Sequence, residues 1–109
     1  MKLLLSGPSI RFRITREEFK ELCSKKHLED KTGFSGDYEL KYSVKVIDTQ
    51  DKELMLISTP EEFSLHISNK ALNQLDAESP SKEGIVFEEI INNDYSLQCA
   101  LQIDLKRSR

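Results

Sequence analysis

The chain has no tryptophan, only two cysteines, and no apolar run of the roughly 18 residues that a membrane span needs. Small secreted domains are usually cysteine-dense, so Cys23 and Cys99, far apart and without a CxxC partner, exclude a disulfide scaffold and fit a reducing compartment. Met1-Lys2-Leu3-Leu4-Leu5 starts like a signal peptide but stops at three leucines, where an export signal needs about 7–15 apolar residues. The expectation is a soluble, cytoplasmic protein that does not enter a membrane; a specialised secretion system would leave no mark of this kind.

Catalytic signatures are missing too. There is no GxSxG, no dinucleotide fingerprint, no HExxH and no phosphate loop, and Gly33-Phe34-Ser35-Gly36 has no lysine after it to meet a phosphate. These absences predict a protein that is not an enzyme and carries no cofactor. Nor does basic charge dominate. The net charge is −3, residues 48–104 hold twelve Asp/Glu against three Lys, and only residues 1–26 lean basic, with seven Lys/Arg against three Glu. A nucleic-acid binder presents a dominant basic face, so nucleic acid is not the expected partner. An acidic surface instead steers a protein partner with a basic surface.

What is present is enough for one core. At 109 residues, 38% of them apolar, the sequence predicts a single α+β domain over 1–109, its core anchored by five Phe and three Tyr. Residues 9–14 alternate strictly, with Ile10, Phe12 and Ile14 on one side, which is a half-buried strand; Leu3 to Leu5 reads as the start of the same strand, interrupted at Gly7-Pro8. Thr15 with Glu18 three residues later is a capping box, and Phe19, Leu22 and Cys23 continue at helical spacing to a helix end near His27. Residues 28–37 show no period, and their second half carries the chemistry of a loop. Alternation returns at 38–46, and a polar turn at 48–52 leads to a partner strand at 53–58.

Residues 59–68 allow two readings. Thr59-Pro60-Glu61-Glu62 suits a helix start, with Phe63, Ile67, Ala71 and Leu75 on one face. The favoured reading is a turn at 59–62, a strand at 63–67 and a helix from 68 or 69 to 77, because Phe63, Leu65 and Ile67 alternate with polar residues. A loop at 78–83, strands at 85–91 and 97–105, and a turn at 92–94 complete the chain. The expected architecture is a mainly antiparallel sheet with two helices on one face. The run from Ile10 to Thr15 matches Phe63 to Ser68 at an offset of 53, which admits a duplicated βαββ unit; the plainer reading is that a strand leading into a capped helix is common.

Few residues invite chemistry. Cys23 and His27, four apart on the expected helix, have the spacing of two metal ligands or of a thiol with its base, but the only others of their kind, His66 and Cys99, lie on remote strands. The core reading of both cysteines is the stronger, and no metal site is expected. Arg11 and Arg13 are the candidate binding residues. They share the polar side of one strand about 7 Å apart, where they suit a phosphate, a carboxylate or an acidic segment, or simply pair across the sheet with Glu39 or Asp104. The function these features predict is a non-enzymatic protein-binding module, an inhibitor or adaptor of a partner enzyme, with a homodimer as a further partner state because a one-sided sheet leaves surface to cover. The alternative is a small-anion binding or sensing domain that uses Arg11 and Arg13.

Gly7-Pro8-Ser9-Ile10-Arg11-Phe12-Arg13-Ile14-Thr15, followed by Glu18, resembles the opening of an uncharacterised family of bacterial proteins of about this length, which runs Gly-x-Ser-(Ile/Val)-Arg-x-Arg-(Leu/Ile)-Thr before a helix. Leu40-Lys41-Tyr42 resembles that family's Leu-Thr-Tyr strand. Asn93-Asp94-Tyr95 with Cys99 resembles its closing Lys-Asp-Phe-x-Cys, the cysteine here standing two residues later. The resemblance implies a bacterial source and a mixed α/β fold, and no activity.

Overall fold

The computed structural model describes residues 1–34, 36–48, 54–77 and 84–103. Two halves carry the same order of elements. The first runs β1 (Lys2–Leu5), β2 (Ser9–Ile14), α1 (Arg16–Lys25), β3 (His27–Gly33) and β4 (Glu39–Ile47). The second runs β5 (Leu54–Ser58), β6 (Glu62–Ser68), α2 (Asn69–Ala77), β7 (Ile85–Asn92) and β8 (Tyr95–Ile103).

The expected single antiparallel sheet with both helices on one face is not what forms. The strands make two four-stranded mixed sheets, in the orders β1-β2-β8-β7 and β3-β4-β6-β5. Each half contributes one antiparallel hairpin to each sheet, and the two hairpins of a sheet join through a parallel central pair, β2 with β8 and β4 with β6. The repeated unit is therefore ββαββ rather than βαββ, and the halves are interleaved. Period-two alternation says which side of a strand is apolar but not which strand lies beside it, so the pattern is equally compatible with both layouts.

The two sheets share one core. Ile10, Phe12 and Ile14 of β2 lie opposite Cys99, Leu101 and Ile103 of β8, and all six are buried. In the other sheet Tyr42 and Val44 of β4 face the same way as Phe63, Leu65 and Ile67 of β6. These apolar sides, with Phe19 and Leu22 of α1 and Ala71, Leu72 and Leu75 of α2, form one continuous core.

Several local expectations change for physical reasons. Leu3 to Leu5 is not an extension of the strand at 9–14. Gly7, at φ +54°, lets the chain reverse, and β1 folds back on β2 with Leu5 opposite Ile10. The stretch without a period at 28–37 begins as a strand, and its expected loop over 31–37 is strand as far as Gly33: β3 pairs along its whole length with β4, yet only Leu28 of it is buried, so it is an edge strand with no apolar period to read. The ambiguity at 59–68 resolves as strand β6 followed by helix α2. The expected loop at 78–83, all but the first residue of the turn at 48–52, and residues beyond 103 lie outside the described residues.

Both helices start in the same way. Thr15 Oγ1 accepts from the Glu18 N–H at 3.0 Å, while the Glu18 carboxylate accepts from the Thr15 N–H at 2.9 Å, a complete capping box. Ser68, 53 positions later, accepts from the Ala71 N–H at 3.1 Å. Each cap satisfies an amide that the first turn of its helix leaves without a partner. Replacement by alanine, Thr15→Ala or Ser68→Ala, is expected to lower the free energy of unfolding by about 1 kcal/mol. A shift of the urea midpoint with unchanged slope is the measurement that checks it.

Candidate functional site

With the apolar sides turned inward, chemistry is left to the outer faces and to the strand ends. On the outer face of the β1-β2-β8-β7 sheet, Lys2 stands opposite Arg13, and Leu4 opposite Arg11. Across β2, Arg11 neighbours Ala100 and Arg13 neighbours Gln102, and Val86 of β7 lies beyond Ala100. The register thus brings Arg11 and Arg13 onto one face and adds Lys2 to them, beside the buried Ala100 and Gln102. Arg11 is exposed, while Arg13 is half-buried and donates a long hydrogen bond of 3.5 Å to Gln102 Oε1. Of the two carboxylates proposed to pair with them, Glu39 belongs to the other sheet, where it takes Lys31 at 3.3 Å. Asp104 lies outside the described residues.

The cysteine and histidine candidates are not gathered. Helix α1 ends at Lys25, and Lys26 takes the left-handed conformation at φ 65°, which turns His27 off the helix and into β3. Cys23 stays half-buried on α1, so the four-residue spacing does not place it and His27 on one helical face. Cys99 is in the core of the other sheet, where burial first and the Glu89 carboxylate second push its thiol up to about 11. His66 lies on β6, half-buried, its imidazole held below the ordinary value by burial and by the neighbouring Lys45 ammonium. Among the described residues no group of three or more His, Cys, Asp and Glu is close enough to hold a metal ion.

One feature is invisible along the chain. Because β4 and β6 run parallel, they begin at the same end of their sheet, and the loops before them lie side by side. Lys41 N–H donates to the Glu61 carbonyl at 3.0 Å across this junction. The result is a cleft of about 370 Å³ lined by Asp37, Glu39, Lys41, Thr59, Glu61 and Glu62. Four carboxylates there stand around Lys41, and one of them, Glu39, already pairs with Lys31 of β3. Beside it Phe34 and Tyr38 pack against each other with ring centroids 5.4 Å apart, yet remain 53% and 49% exposed. The Phe34 N–H donates to the Tyr38 carbonyl at 2.8 Å, and the Tyr38 hydroxyl reaches the Pro60 carbonyl at 3.4 Å, so the aromatic pair is anchored to both loops. Thr59 fixes the second loop: its hydroxyl accepts from the Glu62 N–H at 3.1 Å. The sequence signal, acids placed in two turns, is too common to single out without the pairing of β4 and β6.

Residues 1–106 match a family of unknown function, DUF7009, and the chain belongs to that family. No curated protein and no solved structure shows significant similarity to it. No helix among the described residues is long and apolar enough to cross a membrane.

The two thiols give a direct check on this geometry. At neutral pH a maleimide is expected to label Cys23 in the folded protein and to reach Cys99 only after unfolding, since a thiol of high pKa in a closed core offers almost no thiolate. Equal labelling of both in the native state, read by mass spectrometry, contradicts the assignment of Cys99 to the core.

Proposed function

We propose that this member of the DUF7009 family is a non-enzymatic protein-binding module that takes a basic segment of its partner at the cleft before β4 and β6. One observation carries the reading: an acidic cleft stands next to an exposed aromatic pair. Exposed aromatics held in place by backbone contacts are the residues that supply binding energy at protein interfaces, because little entropy is lost when they are covered. A partner Lys or Arg that reaches the cleft meets Asp37, Glu39, Glu61 and Glu62, and the exposed rings of Phe34 and Tyr38 offer apolar area to the rest of the segment. The proposed role is that of a cytoplasmic inhibitor or adaptor of an enzyme; the resemblance of the opening motif bears only on the bacterial source.

A second reading is favoured by the outer face of the other sheet. Arg11, Arg13 and Lys2 share it with no carboxylate among their described strand neighbours, an arrangement suited to a small anion. Under that reading phosphate or a carboxylate raises the melting temperature, and Arg11→Ala together with Arg13→Ala removes the rise. A melting curve that none of these anions moves ends it.

The leading reading is tested by capture from a native lysate at low salt with four baits. Wild type is expected to retain a partner that Tyr38→Ala and Glu61→Lys lose at least about tenfold, the loss of roughly 1.4 kcal/mol or more typical of a central interface residue. Glu88→Lys, on the opposite sheet, is expected to retain it. A partner held equally by all baits, or none at all, overturns the proposal.

A further inference from the structure

The outer face of the β3-β4-β6-β5 sheet carries, at the end away from the acidic cleft, a row the proposed function does not use. Lys45 of β4 stands opposite His27 of β3 on one side and opposite His66 of β6 on the other, and Met55 of β5 closes the row beyond His66. Paired residues of neighbouring strands project to the same side about 4.8 Å apart, so two imidazoles flank one ammonium across a span of about 10 Å. Among the described residues neither histidine nor Lys45 makes an ion pair.

The surroundings leave this row basic. On β3 the nearest carboxylate of the face is Glu29, one row away beside Ser43. On β6 it is Glu62, two rows away beside Lys41 and within 3.3 Å of the Ser43 hydroxyl. From β5, Met55 and Ile57 bring no charge. In the last turn of α1, Lys25 pairs with Glu21 at 3.8 Å, and Lys26 follows as the helix cap. Asp48, beyond the end of β4, has the parity of Val46 rather than of Lys45.

The relation between the halves gives the row a second significance. His66 lies two residues before the cap Ser68, as Arg13 lies two residues before the cap Thr15, and both face outward from a central strand. The same position thus holds a permanent cation in one sheet and a titratable one in the other.

We propose that His27, Lys45 and His66 form a proton-gated site for a small tetrahedral oxyanion of the phosphate or sulfate class. The ammonium supplies charge at every physiological pH, and the imidazoles add N–H donors on either side that turn cationic when protonated. With the site empty, burial and the Lys45 ammonium together keep His66 neutral to lower pH than usual. A bound dianion opposes the repulsion from Lys45, so proton uptake and anion binding strengthen one another. Affinity then rises as pH falls through the histidine range, by up to about tenfold per pH unit for each proton taken up.

The test uses the whole chain and sulfate, whose charge stays fixed over the range. The imidazole C2–H signals are followed by proton NMR from about pH 8 to about pH 5, in sulfate and in chloride of matched ionic strength. Sulfate is expected to move the His66 midpoint upward relative to chloride. Lys45→Ala is expected to abolish that difference while raising the midpoint in chloride, which shows that the variant is folded and the lysine gone from beside the ring. Arg11→Ala with Arg13→Ala is expected to leave the sulfate effect intact, which separates this site from the arginine face; inorganic phosphate repeats the result as a second probe. Identical midpoints in sulfate and chloride, or a sulfate effect that survives Lys45→Ala, overturn the proposal.

Discussion

Two parallel ladders, β2 with β8 and β4 with β6, are the constraint from which the rest of the molecule follows. Each joins a hairpin of one half to a hairpin of the other, so neither sheet is complete until both halves are present. The ladders also set the core. Phe12, Ile14, Leu101, Leu65 and Ile67 on these central strands are fully buried, and side chains of this kind contribute roughly 1.5–3 kcal/mol each when removed from water. The edge strands β1 and β3 contribute far less, with most of their residues exposed.

The same ladders create the functional surface. In an antiparallel pair, the loops before two neighbouring strands lie at opposite ends. In a parallel pair they meet, which is why Asp37, in the loop before β4, shares a cleft with Glu61, in the loop before β6. At the equivalent end of the other sheet, the Gln98 N–H donates to the Pro8 carbonyl at 2.8 Å, and Ser6 to Pro8 lie beside the turn before β8. Four carboxylates gather at the first junction, whereas the turn before β8 brings Asp94 alone, with the exposed Tyr95 after it, so one architecture carries two surfaces of different charge.

What was legible in the sequence is what depends on neighbours along the chain. The alternation of Ile10, Phe12 and Ile14, the capping box of Thr15 and Glu18, and the succession of strand and helix over 62–77 all follow from local periodicity and local hydrogen bonding. Arg11 and Arg13 were placed on a shared face by the same rule. What was not legible depends on pairing. β3 has a single buried residue, Leu28, so nothing in His27-Leu28-Glu29-Asp30 announces a strand until β4 lies beside it. Side-chain alternation is the same in parallel and antiparallel partners, and both the mixed sheets and the acidic cleft hang on that distinction. The row His27, Lys45 and His66 was hidden for the same reason, its members coming from three strands.

The interleaving of the halves bears on how the chain is made. Arg13 and Gln102 are neighbours across β2 and β8 but stand 89 residues apart in sequence. On a ribosome, β2 emerges early and must wait, with one side of its backbone unpaired, until the last strand has been synthesised. Contacts of this separation are slow to form, and an unpaired edge is where chains stick to one another in the interval. The exposed residues of β3 and the arginines beside Phe12 give that first half a polar, charged surface.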